Sequence, residues 1–140
     1  MLQYLDPVPF AMDSHMGFSE TQGMLSCDGE NLVIEFRVVD ALVGMLKTSM
    51  TTIEIPLGDV RSIAFQKRFL GLTACIMLRT RNQRALASLP ESRMGTIRLA
   101  IKRADRDIAA TFCQAVQETA MRYRSQMLMD NLARLEGDGI

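Results

Sequence analysis

The sequence predicts a mainly β, α+β fold: a bent antiparallel sandwich or barrel of seven strands, capped by one long C-terminal helix. Three observations carry this. Short apolar runs with a period of two, separated by turn residues, recur through the first two thirds of the chain. Past residue 104 the apolar period changes from two to that of a helix. The chain has 140 residues, 48% of them hydrophobic, which suits one domain with a core of its own.

Residues 1–15 read as an arm, because Pro7 and Pro9 oppose both helix and central strand. Residues 16–104 read as the β domain. "GFSETQGMLSC" is its first strand and ends at the turn "DGEN". "NLVIEFRVVD" follows, with Leu32, Ile34, Phe36 and Val38 alternating against Glu35 and Arg37, so one face is buried. "GMLKTSMTTIEI" is rich in β-branched residues, but its parity slips between Met50 and Ile53, which predicts a bulge or bend near Thr51. Pro56 and Gly58-Asp59 make a turn. "VRSIAFQKRF" and "LTACIMLRT" are the next two strands, parted by Leu70-Gly71, and the second reads as a central strand. A short strand "RALASL" and a loop from Pro90 to Gly95 lead to "TIRLAIK", where Ile97, Leu99 and Ile101 point in and Arg98 and Lys102 point out.

Residues 105–136 read as the helix. Ile108, Phe112, Val116, Thr119 and Tyr123 recur every three or four residues, while Ala110, Gln114 and Gln117 suit solvent. Asp105 stands where an N-cap should stand, and Asp107 lies in the first turn, where the free N–H groups favour a carboxylate. The charged stretch "IKRADRDIAATF" is thus a strand-to-helix joint and not a catalytic carboxylate pair.

Formal net charge is zero, which argues against a global pull toward nucleic acid or anionic membrane. The balance hides an asymmetry: residues 1–60 net −7, residues 61–106 net +9, and the remainder nets −2. Cys27, Cys75 and Cys113 are odd in number and far apart, which suits a reducing compartment. "MLQYLDPVPFAMDSHM" lacks the basic start and apolar run of a signal peptide, so the expected location is the cytoplasm.

Seven short antiparallel strands followed by one C-terminal helix is the element order of the pleckstrin homology superfold. "GENLVIEFRVVD", "IEIPLGDVRSIAF" and "GTIRLAIKRADRDIAATF" resemble bacterial members of that superfold, in which an Ile-Pro-Leu turn leads into a strand and the last strand passes directly into the helix. The resemblance covers residues 17–122 and implies two strongly bent, nearly orthogonal sheets with the helix plugging one open end. Lipid-binding members hold a phosphoinositide at basic residues beside the loop between the first two strands. With that loop read as "SCDGEN", Asp28 and Glu30 would repel a phosphate, and the expectation is against membrane or phosphoinositide binding.

Two sets of residues remain as candidate sites. Lys67, Arg68, Arg98, Lys102 and Arg103 form an anion or lipid-headgroup site in one reading, and a solvated face guarding strand edges in the other, which the sequence favours. No aromatic residues interleave with these bases, which disfavours nucleic acid. The second set lies on the helix. With residues at 100° steps, Met121, Leu128, Leu132 and Leu135 fall on one line, opposite the stripe meant for the strands. That spacing is a coiled-coil seam and predicts a homo-oligomer through residues 121–135.

His15 is the single histidine and has no partner at metal-ligand spacing. Phosphate-cradling glycine motifs and a GxSxG elbow are absent. The expectation is a non-catalytic protein-interaction domain that needs no cofactor and no metal.

Overall fold

The computed structural model describes residues 5–14, 19–40 and 50–138. Seven strands precede one helix: β1 (Val8–Ser14), β2 (Ser19–Cys27), β3 (Asn31–Asp40), β4 (Thr51–Pro56), β5 (Val60–Arg68), β6 (Thr73–Thr80), β7 (Thr96–Ala100) and α1 (Arg106–Asp138). They form one antiparallel sheet in the order β4-β3-β2-β1-β7-β6-β5. The mainly β, α+β class with a long C-terminal helix is therefore as the sequence predicts.

The connectivity forces the sheet to curl. β4 and β5 are its two edges, and in a flat sheet they would lie about 29 Å apart, at about 4.8 Å per strand. Yet only a 3₁₀ turn, Leu57–Asp59, joins them, and so short a link spans at most about 14 Å. The edges must approach each other there. Backbone bonds pin that turn to both halves: the Leu57 amide donates to the Glu30 carbonyl at 3.0 Å, and the Arg81 amide to the Asp59 carbonyl at 2.8 Å. Inside the curl, Phe10, Leu25, Ile34, Ile55, Ile63, Leu78 and Leu99 join Phe112 and Val116 of α1 in one core.

α1 covers the exposed edge of the sheet. Its Ala109, Phe112, Cys113, Val116 and Ala120 are buried against the strands. The Ile63 amide on the free edge of β5 donates to Gln117 Oε1 at 2.8 Å. An edge strand is thereby blunted by a helix instead of by solvent-facing charge.

Five expectations need correction. The arm is not an arm throughout: Val8, Phe10 and Met12 alternate into the core from β1, which pairs with β2 from Val8↔Leu25 to Ser14↔Ser19. Pro9 is tolerated because β1 sits at a corner, where its ladder to β7 is the single pair Ala11↔Ala100. "RALASL" is a series of turns, with Ala85, Ala87 and Leu89 amides bonded three residues back; Leu86 and Leu89 are buried at a spacing of three, not two. Gln117 is half-buried and bonded, not solvated.

The joint also differs. A 3₁₀ turn, Arg103–Asp105, runs straight into α1, and the Asp105 amide bonds the Lys102 carbonyl at 2.9 Å. Asp105 lies inside this 3₁₀ turn and the helical Arg106 follows it, so it is a turn residue and not the non-helical N-cap residue. Finally, the loop between the first two strands is 15–18, outside the described residues, and "SCDGEN" is the β2–β3 turn. The acidic residues of that turn therefore carry no argument about a site beside the first hairpin. The bulge expected near Thr51 falls beside the undescribed segment 41–49; the described irregularity lies between Val60 and Ser62.

Candidate functional site

The distal half of α1 is where the sequence put an interface, and the helix is continuous through it. At 1.5 Å per residue its 33 residues extend about 50 Å. Its first half is committed to the strands. Beyond Ala120, Tyr123 Oη donates to the Gly29 carbonyl at 3.3 Å, and Met127 lies over Gly58, its Sδ 3.2 Å from where a Cβ would stand. Tyr123 was expected on the buried stripe; it is partly exposed and acts through its hydroxyl.

Every residue from Ser125 to Gly137 is exposed. Met121, Leu128, Leu132 and Leu135 are 53%, 63%, 58% and 67% exposed, along a flank of the helix about 110° round from its buried face and not opposite that face as expected. The stripe is not folded back on the domain, since the helix does not break. Met129 adjoins it.

A surface cleft of about 520 Å³ flanks the stripe, lined by Arg61, Arg81, Arg124, Met127, Leu128 and Asn131. Three arginines from β5, the end of β6 and α1 meet there. They are far apart in sequence: the β5–β6 ladder, where Val60 pairs with Thr80, sets Arg61 near Arg81, and α1 packed on β5 adds Arg124.

Four of the five predicted basic residues share one end of the sheet. Gln66, Cys75 and Ala100 form a row across β5, β6 and β7. One step further, Lys67 pairs with Ala74, whose carbonyl accepts the Ile101 amide at 3.0 Å. Lys67 and Arg68 thus end β5 where Lys102 and Arg103 leave β7. Arg98 is apart from them: it pairs with Met77 in mid-strand, four residues or about 13 Å before Lys102.

The β2–β3 turn is ordered by its own carboxylate. Asp28 Oδ1 accepts the Asn31 amide at 2.7 Å and the Glu30 amide at 2.9 Å, and these bonds hold its carboxyl below the ordinary range. Cys113 is buried beside Cys75, and burial, then the neighbouring thiol, pushes it up to about 12. A thiol so placed is a core side chain and not a nucleophile.

Among the described residues no three of His, Cys, Asp and Glu gather as a metal site. No described helix is long and apolar enough to cross a membrane. No family model, no curated protein and no solved structure matches the chain.

Proposed function

We propose that this chain is a non-catalytic protein-interaction domain of the pleckstrin-homology-like type that self-associates through the distal half of α1. The observation that carries the reading is the unbroken helix, exposed from Ser125 to Gly137, with Met121, Leu128, Leu132 and Leu135 in one line. Four large apolar side chains aligned in water are unfavourable for a monomer and suit a helix seam. Seven antiparallel strands around a core, with a C-terminal helix along the exposed edge, support the superfold reading. The buried thiols support a working life in a reducing cytoplasm.

Light scattering on the full chain should return a multiple of the 15.7 kDa monomer mass. Leu128→Glu with Leu132→Glu should return a folded monomer with unchanged circular dichroism. A full chain that stays monomeric at high concentration overturns the reading.

A further inference from the structure

A second surface stands at the other end of α1 and is independent of the helix seam. The β5–β6 hairpin closes at the pair Arg68↔Thr73, and its tip is Phe69-Leu70-Gly71-Leu72. Phe69, Leu70 and Leu72 are 73%, 106% and 70% exposed, so Leu70 is as open as a side chain can be. Phe69 and Leu70 also hold φ of 53° and 57°, with Gly71 at 86°. That left-handed backbone is the kind two-residue hairpin turns require, and it favours Asn, Asp or Gly. This chain instead puts Phe69 and Leu70 there. Both the backbone and the solvation are unfavourable, and nothing in the described fold offsets either.

The tip is also fixed in place. Arg106, the first residue of α1, donates from Nη1 to the Gly71 carbonyl at 2.8 Å and from Nη2 to the Leu72 carbonyl at 3.1 Å. The turn bonds itself as well, Gly71 amide to Arg68 carbonyl and Leu72 amide to Phe69 carbonyl, each at 3.1 Å. Apolar side chains are thus presented on a braced protrusion.

Around its base stand Lys67 and Arg68 on β5 and Lys102 and Arg103 leaving β7, all exposed. Asp105 in the 3₁₀ turn and Asp107 at the start of α1 adjoin, and Lys102 also lines a cleft with Glu20 and Glu35, so the cationic part of the collar is Lys67, Arg68 and Arg103. The order outward is cations first, then hydrocarbon at the tip.

We infer that this tip docks on an anionic lipid bilayer, with Phe69, Leu70 and Leu72 entering the interface and the collar meeting the headgroup charges. The depth order matches a bilayer surface, where apolar groups lie below the headgroups and lysine and arginine remain among them. The shape is convex, which suits insertion. This goes against the expectation from zero net charge, because the relevant charge is local and not global.

The chain has no tryptophan, so Phe69→Trp supplies a single fluorescent reporter at the tip. Its emission should shift to the blue on adding phosphatidylcholine vesicles that contain phosphatidylglycerol, and stay unchanged with phosphatidylcholine alone. The wild-type chain should float with the anionic vesicles, less so as salt rises. Phe69→Asn with Leu70→Asn should keep the fold, since asparagine suits a left-handed turn, while reducing flotation by about tenfold or more. Lys67→Glu with Arg68→Glu should reduce it likewise. Absence of flotation at low salt overturns the inference. So does flotation that survives the asparagine pair, or a blue shift that follows protein concentration without vesicles, which would seat the tip on a second copy.

Discussion

Gly23 shows how one residue can be fixed by its neighbours. It lies in β2 between Phe10 on β1 and Phe36 on β3, its partners across the two ladders. A Cβ at this position would overlap the Phe10 ring and the Glu35 carbonyl. The ring has no other place in the core, and the carbonyl belongs to the backbone of β3. Gly23→Ala should therefore lower stability by about 1–3 kcal/mol, the usual range for overpacking, read as a shift in the denaturant midpoint. Asp28 makes a different residue-scale prediction. The amides of Asn31 and Glu30 favour its ionised form, so its folded-state pKa lies below the ordinary 3.8. Its contribution is then fully present above pH 3.8 and is lost as pH falls through the lower, folded value. The stability gap between wild type and Asp28→Ala should be constant near neutrality and close only in that acid window. A gap that closes well above it would contradict this account.

At the scale of elements, what the sequence made legible was periodicity, and what it hid was context. β3 and β7 were readable because Leu32, Ile34 and Phe36, and Ile97 and Leu99, alternate with charge and are buried as the pattern requires. β1 has the same alternation in Val8, Phe10 and Met12, but Pro9 masked it, since its place at a sheet corner is a fact of topology. "RALASL" erred the other way: two leucines three apart serve turns and strands alike until the backbone bonds are known. Of the site, the stripe on α1 was legible because a helix carries its neighbours in its own sequence. The cleft of Arg61, Arg81 and Arg124 was not, because the β5–β6 pairing and the packing of α1 on β5 assemble it. The hairpin tip was hidden by assigning Phe69 and Leu72 to strands that end at Arg68 and begin at Thr73. The joint yields a test of the revised account. With Asp105 inside the 3₁₀ turn and not at a non-helical cap position, Asp105→Ala should change stability by less than about 0.5 kcal/mol. Gln117→Ala should cost about 1 kcal/mol, because it strips the Ile63 amide of its acceptor at a part-buried edge. The reverse ranking would restore Asp105 as the cap.

At the scale of the whole molecule, the proposed self-association still leaves the direction of pairing to be decided, and charge decides it. The seam at residues 121, 128 and 135, with 125 and 132 between, fixes the flanking positions of a two-stranded coil. Arg122, Met129 and Glu136 line one flank, and Arg124 and Asn131 the other. In a parallel pair each flank meets the opposite flank of the partner five residues on. Arg124 would then face Met129 and Asn131 would face Glu136, with no cation opposite an anion. In an antiparallel pair like flanks meet. Setting Leu128 against the partner's Leu132, twice by symmetry, brings Arg122 against the partner's Glu136, also twice. The antiparallel register therefore buries the two most central leucines and adds two complementary ion pairs. It also keeps the partner helix on a flank of α1 where every seam residue from Ser125 on is exposed. Arg122→Glu should weaken the assembly by setting like charges against each other, and adding Glu136→Arg should restore it. Sedimentation at several concentrations reads both steps, and both side chains are exposed, so folding should not change. Restoration by the double variant requires the two residues to face each other across the pair, since within one helix they lie fourteen residues apart. If the double variant is as weak as the single one, the antiparallel register is wrong.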